Sequence, residues 1–377
     1  MKKVVVLGSG LVGNPIALDL AGDFEVTAVD INPFSLNKLE KQAGIKTVLA
    51  DLSDQQTIFS LLAGADYAVN AVPGYLGFKA LEAAIVAGVD TVDIAFMPED
   101  VMILDQLAKE KQVCIISDMG VAPGMSNLLA GYAGHIFDRY EKLEIYVGGL
   151  PKVRTWPWEY KAVFSPADVL EEYTRPARLV RNGKIVIMPA LSEPELMEMP
   201  VVGTLEAFNS DGLRSLVNTL DVPEMAEKTM RYRGHAELMR VLSHAGFLST
   251  TKIDIGKKKI SPLDFTSKLL FKEWKLNEGE EDLTVMKIIA RGEVDGVKTV
   301  IEWELCDEYN RKTRVHSMAR TTGYAATAAL RLIASGLYNT HGVHVPEFIG
   351  RRPDCVKFML DEQYKRGVIY TEKRSWE

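Results

Sequence analysis

Gly8, Gly10 and Gly13 form a G-x-G-x-x-G pattern directly after the apolar run KVVVL, and NPIALDLAG follows with helical spacing. Gly8 permits a tight turn, Gly10 lets the backbone approach a pyrophosphate, and Gly13 allows a helix to pack closely on a strand. The intervening Leu11 and Val12 lie in the same turn, where the amides of a helix N-terminus face the phosphates of a dinucleotide. An acid completes the pattern: Asp30, 20 residues after Gly10, closes the second apolar run and is followed by Ile31. A carboxylate there accepts from both hydroxyls of the adenosine ribose and repels a 2′-phosphate. INPFSLNK contains no arginine to neutralise such a phosphate, so the pattern predicts NAD rather than NADP. Asp51 reaches the adenine side, or the ADLSD segment simply caps a helix at Ser53 or Asp54. Asn70, Ala71, Val72 and Pro73 end a fourth strand, on the side where open α/β sheets bind ligands, and are placed beside the nicotinamide ribose.

Acids and bases outside this pattern define the reacting end. Asp93 in VDIAFMPE and Asp118 in ISDMGVAPGMSN fall at carboxyl ends of predicted strands, where a catalytic crevice opens. Their charge suits a cationic substrate, with Asp93 as a binding group and Asp118 as a proton acceptor; each alternatively orders its own loop or caps a helix. The segment MRYRGHAE concentrates Arg231, Tyr232, Arg233 and His235. Read as a loop, it offers an arginine to hold a carboxylate and a histidine to move protons, with Tyr232 beside the substrate. Arg175 in EYTRPARLVRNGK is a further substrate-binding candidate. The aromatic run from Thr155 to Phe164 either closes over a ligand or buries an interface. The remaining histidines show no ligand-pair spacing with cysteine or acid, so no metal is predicted.

These residues need elements to hold them. Lys3–Leu7 and Glu25–Val29, then Thr47–Leu49, Tyr67–Asn70, Thr91–Ile94 and Val113–Ser117, read as short buried strands separated by helical patterns at Gln55–Ala63, Gly77–Ala87 and Pro98–Lys109. Such alternation predicts an α/β doubly wound parallel sheet of the Rossmann type. From Leu143 the runs lengthen and alternate polar with apolar residues, and Asn182-Gly183 and Asp295-Gly296 mark hairpin turns. A second α/β domain with a mixed or antiparallel sheet is therefore placed at 125–316. Met318–Leu337 reads as one long helix.

The chain of 377 residues and net charge −7 suits two domains and disfavours a nucleic-acid or anionic-membrane partner, since phosphate binding needs a concentrated positive field. Its partner is predicted to be a small molecule. Three scattered cysteines, Cys114, Cys306 and Cys355, form no disulfide framework and suit the reducing cytoplasm. No stretch is apolar enough for a membrane span.

GSGLVG, DMGVAPGMSN, YVGGLP, VFSPADVLEEYTRPARLVRNGK, LEAFNSDGLRS, MRYRGHAE and SMARTTGYAATA together resemble the saccharopine dehydrogenase-like family, on the side of its NAD-dependent lysine 6-dehydrogenases. The resemblance implies a discontinuous NAD-binding Rossmann domain of residues 1–124 and 317–377, a substrate-binding and dimerisation domain at 125–316, and a homodimer. It also implies oxidative removal of the 6-amino group of L-lysine, giving ammonia, NADH and a semialdehyde that cyclises. Saccharopine reductases, carboxynorspermidine-type dehydrogenases and a non-catalytic NAD sensor are the alternatives. SDGLRS is more polar than the version associated with some lysine enzymes.

Overall fold

The β-branched run at Lys3–Leu7 forms strand β1, buried from Val4 onward, as expected where both sheet faces are covered. A computed structural model describes every residue except 42, 43, 164, 165, 278 and 377; Phe164 of the aromatic run lies outside the described residues. β2 (Glu25–Asp30), β3 (Ile45–Leu49), β4 (Tyr67–Asn70), β5 (Asp90–Asp93) and β6 (Cys114–Ile116) pair in parallel with β1 in the order β6-β5-β4-β1-β2-β3. The predicted parallel sheet is thus present. It carries a further strand, Gly342–His344, on the β6 edge, which three residues of pattern could not reveal. The helical pattern predicted at Pro98–Lys109 begins as a 3-10 turn, Val101–Leu104, and continues as an α-helix to Lys111.

The chain divides into two compact units, Met1–Phe137 with Ala319–Tyr370, and Asp138–Met318 with Thr371–Glu377. The first unit therefore reaches beyond the expected boundary at 124. The helix Met125–Ile136 packs against the helix Pro346–Gly350 so closely that a Cβ on Gly350 would lie 2.1 Å from the Leu128 carbonyl oxygen. The returning chain is also tied down by charge, because Arg331 Nη1 and Arg366 Nε reach the Asp19 carboxylate, both at 2.7 Å.

The second unit is built on β7 (Arg139–Pro151), β8 (Ala177–Arg181), β9 (Lys184–Met188), β10 (Glu195–Met199), β11 (Gly203–Asn209), β12 (Glu224–Tyr232), β13 (Asp282–Val294) and β14 (Val297–Glu308). Its main sheet runs β10-β11-β12-β7-β13-β14 and ends with Tyr370–Trp376. It is mixed, since β12 and β7 pair in parallel while β11 with β12 and β7 with β13 are antiparallel. Both hairpin signals hold, with φ of 50° and 72° at Asn182-Gly183 and 52° and 75° at Asp295-Gly296, the double positive φ that a two-residue hairpin turn requires. Alternation along β11 and β12 sends Leu205, Ala207, Met230 and Tyr232 into one core and Phe208 into another with Tyr173, Met239 and Trp274. Among the described residues no helix is long and apolar enough to cross a membrane.

Candidate functional site

The turn after β1 has little room for side chains. A Cβ on Gly13 would sit 2.0 Å from the Gly8 carbonyl oxygen, and one on Gly8, whose φ is 94°, 2.5 Å from that of Ala71. Gly10 meets nothing within 4 Å, so the turn is closed toward the protein and open above Gly10. Beside it the Asp30 carboxylate is locked by the backbone: Ser9 N–H donates to Oδ2 at 2.7 Å and Asn32 N–H to Oδ1 at 2.8 Å. Two bonds fix its plane and leave each oxygen a lone pair for a ligand hydroxyl. Leu11, Val12 and Ile31 border this opening in sequence, with Leu11 and Ile31 exposed. Asp51 accepts from Ser53 N–H at 2.9 Å, which holds its carboxyl below the usual range, while Asp54 caps the helix Gln55–Leu62 by accepting from Gln56 and Thr57. The glycines and Asp30 fit a dinucleotide.

At the carboxyl ends of β4–β6 the side chains form a sealed network. Asn70 Nδ2 donates to Gly77 O at 3.1 Å and to Asp93 Oδ1 at 2.8 Å, and Ser117 Oγ donates to Asp93 Oδ2 at 2.8 Å. Asn70 is consumed in holding Asp93; after it Ala71 is half-buried, Val72 buried and Pro73 exposed where the chain enters the helix at Gly74. Asp93, expected as a substrate-binding group, is fully buried, and burial pushes its carboxyl up to about 7, its hydrogen bonds only partly offsetting this and the charge of Asp118 adding to it. Asp118 follows β6 in the left-handed region, φ 56°, and is 5% exposed. Aspartate tolerates that conformation better than most residues. The two acids thus form one acidic end, Asp93 beneath and Asp118 in the loop.

The second unit gathers a different set. MRYRGHAE is not a loop: Met230–Tyr232 finish β12, and Gly234, φ 95°, precedes a helix starting at His235. Arg231 is buried and fully engaged, with Nη2 on Glu172, Nε on the Tyr173 hydroxyl at 3.1 Å, Nη1 on Met230 O at 2.9 Å, and its guanidinium 4.7 Å over the Tyr160 ring. Burial alone would lower it, but Tyr173, Glu172 and Tyr160 outweigh that and hold it charged. These partners surround the guanidinium at which a substrate carboxylate was expected. His235, expected as a proton acceptor, is also buried and engaged at both ring nitrogens. Its Nδ1–H donates to Trp158 O at 2.8 Å, leaving Nε2 to accept from the Tyr173 hydroxyl at 2.9 Å, and burial with the Arg231 charge pushes the imidazole down to about 3. Tyr232 points to the opposite face, donating to Pro151 O at 3.0 Å under Arg154. Arg175 pairs with Glu171 one helical turn away. The aromatic run contributes Trp158 and Tyr160, which stack edge-on against Trp274 at 6.1 and 5.2 Å between centroids. Sequence reasoning missed Glu172, Tyr173 and Glu227, although Tyr173 and Glu172 stand next to Arg175 in a singled-out stretch.

These two constellations coincide with two family matches. Residues 4–116 match the saccharopine dehydrogenase NADP binding domain and residues 120–368 the saccharopine dehydrogenase C-terminal domain. The chain belongs to the saccharopine dehydrogenase family. The carboxyaminopropylagmatine dehydrogenase of Synechocystis sp. is 25% identical over 384 residues, spanning 95% of each chain. The mitochondrial alpha-aminoadipic semialdehyde synthase of Bos taurus is 24% identical over 70% of this chain but only 30% of its own length. This chain therefore spans less than a third of that relative. The saccharopine dehydrogenase [NADP(+), L-glutamate-forming] of Saccharomyces cerevisiae is 24% identical over 69% of this chain and 61% of its own. Apo saccharopine dehydrogenase (L-Glu forming) from that yeast superposes over all of both chains with a TM-score of 0.82 at 20% identity, which establishes the shared fold of a Rossmann-type sheet and a mixed sheet. Among the described residues no group of three or more His, Cys, Asp or Glu can hold a metal.

Proposed function

We propose that the protein is an NAD-dependent dehydrogenase that oxidises a carbon–nitrogen bond of an amino-acid-derived amine, with the 6-amino group of L-lysine as the best-fitting substrate. The observation that carries this reading is the Asp30 carboxylate, held by Ser9 N–H and Asn32 N–H beside the open Gly10. It favours an unphosphorylated ribose, whereas the matching family domain is named for NADP. Gly8, Gly10, Gly13 and Asp30 hold the dinucleotide, and when bound NAD supplies the hydride acceptor.

The chain's own task is proton handling. An ammonium has no lone pair to stabilise a developing iminium, so a proton must leave the nitrogen before the C–H bond breaks. The Asp118 carboxylate takes it. Asp93 beneath adds charge repulsion at that end when ionised and orders the loop through Met119 N–H, which donates to the Asp93 carbonyl at 2.9 Å. With the iminium formed, water adds to its carbon and ammonia leaves, giving the aldehyde. The protein acts in the cytoplasm as a homodimer in this reading.

A second reading has one specific support: the relative matched over 95% of both chains is a carboxyaminopropylagmatine dehydrogenase. The chemistry would then run as reductive condensation of a carbonyl with an amine, yielding a secondary amine. One experiment separates the two. NAD with L-lysine is expected to yield NADH and ammonia in equal amounts, and NADH consumed only when an amine and a carbonyl compound are supplied together would replace the first reading with the second.

A further inference from the structure

The helix His235–His244 buries one face and, among the described residues, leaves the other uncovered. His235, Ala236 and Met239 turn inward, and Ala236 and Met239 share one core with Leu270 and Trp274 of the helix Pro262–Trp274. The outward face carries Glu237, Arg240, Val241, His244 and Ala245, whose spacing i, i+3, i+4, i+7, i+8 makes a single stripe. These five residues line a groove of about 570 Å³. Val241 at its centre is 56% exposed. Glu237 pairs with Arg240, while the exposed His244 ring has no hydrogen-bond or ion-pair partner among the described residues. On the neighbouring helix Phe265 and Leu269, one turn apart, are exposed as well. Apolar side chains gathered in this way and rimmed by charge mark an interaction surface.

The order of the charges says what covers it. A helix face that meets its own copy across a two-fold axis runs antiparallel to it, and where residue i contacts j, j contacts i. With the axis between Arg240 and Val241, the uniform rise of an α-helix sets Glu237 level with the partner subunit's His244, and Arg240 level with the partner subunit's Val241. Each Glu237–His244 contact then joins an acceptor to a donor, because an imidazole carries an N–H in either protonation state. The aliphatic stems of the two arginines cover the two valines. No carboxylate meets a carboxylate. An anionic lipid surface would call for cations alone, and Glu237 would face its phosphates. The stripe is only about 15 Å long, short of the roughly 800 Å² per partner that a stable interface buries. Phe265 and Leu269 extend it, since both helices cover the same core and belong to one layer.

We propose that this face is the contact between two copies of the chain, the helix His235–His244 packing antiparallel on its twin across a two-fold axis beside Val241. The proposal goes beyond the chemistry proposed above and rests on that reading only for the homodimer, to which it gives a surface.

The test is sedimentation velocity of the full chain over a concentration series. The wild type is expected to dimerise. Glu237→Lys and His244→Glu, each of which sets unfavourable pairs at two symmetric places, should each raise the dimer dissociation constant about tenfold or more. Combining them exchanges the partners and should restore the constant to within about threefold of wild type, a rescue that misfolding does not give. In a Cys306→Ser background Val241→Cys lies at the axis, so mild oxidation should link two copies through a disulfide; Phe59→Cys, exposed on the first unit, should stay unlinked. A monomeric wild type, single variants that dimerise like wild type, a double variant that stays dissociated, or no cross-link at Val241→Cys would each overturn the proposal. Wild-type monomer that sediments with phosphatidylserine vesicles and is released by Val241→Asp would assign the face to a lipid surface and overturn it too. NADH formation is read separately. A monomer that yields NADH and ammonia from lysine would refute this contact and leave the dehydrogenase reading standing, and a dimer linked at Val241→Cys that forms no NADH would do the reverse.

Discussion

Replacing Asp30 by Asn removes one charge and keeps the shape, which makes it the sharpest probe of cofactor choice. In the wild type, a 2′-phosphate carrying roughly −1.5 to −2 at neutral pH would approach the Asp30 carboxylate at about 4 Å. Two unit charges at that distance repel by about 4 kcal/mol at the effective dielectric of a protein surface. Asp30 is only half-buried, so solvent and salt reduce this to about 2 kcal/mol, or roughly 30-fold in affinity. For NADH the variant loses the charge assistance on two ribose hydroxyl bonds, about 1.5 kcal/mol or roughly tenfold. The preference for NADH over NADPH should therefore fall by about 300-fold. Asparagine can accept from only one of Ser9 N–H and Asn32 N–H, so a drop in stability of about 1–3 kcal/mol accompanies the change and is read separately from thermal melts. Dissociation constants for NADH and NADPH come from fluorescence titration of both proteins. Equal binding of the two cofactors by the wild type, or an unchanged ratio in Asp30→Asn, would refute the argument.

The two inner glycines should fail in opposite ways. Gly13→Ala forces a Cβ against the Gly8 carbonyl and is expected to lower the melting temperature, at a cost of about 2–3 kcal/mol. Gly10→Ala, which meets nothing in the protein, should melt as the wild type does yet lose NADH affinity by tenfold or more, as a titration alongside the melt would show. His235 gives the protein an acid-side instability. The unfolded chain takes up its proton near the ordinary value of 6.5 and the folded chain only near 3, so its contribution is complete above about 6.5 and is lost as pH falls toward 3. For this fully buried group that amounts to up to about 5 kcal/mol. Urea unfolding across that window should show a shallower slope for His235→Gln, and parallel slopes would contradict the assignment. Tyr173→Phe strips the donor to His235 Nε2 and the acceptor of Arg231 Nε; denaturant midpoints should register a loss of about 1–3 kcal/mol.

The cofactor half of the molecule was readable because its chemistry is local. Gly8, Gly10, Gly13 and Asp30 act through backbone shape at fixed spacing, and the strands around them are continuous apolar runs. The second unit was not. Arg231 and His235 attracted notice as polar residues in a short segment, but a polar residue in sequence carries no record of the partner it meets. Glu172 and Tyr173 come from a helix nearly 60 positions away to satisfy both. Buried charges also masked β12, since EMAEKTMRY has no clean alternation although eight of its nine residues are buried. Asp93 was placed correctly at a strand end, but its burial depends on Asn70 and Ser117 from neighbouring strands, a relation that only the folded sheet reveals. The strand Gly342–His344 and the return of the helix Pro346–Gly350 onto Met125–Ile136 are long-range pairings of the same kind.

Purified protein supplied with NAD and L-lysine, followed by NADH absorbance with parallel assay of ammonia, tests the central claim most directly. The account predicts NADH and ammonia formed one for one, with NADP a poor substitute. Absence of NADH with lysine and with every other primary amine offered would contradict it.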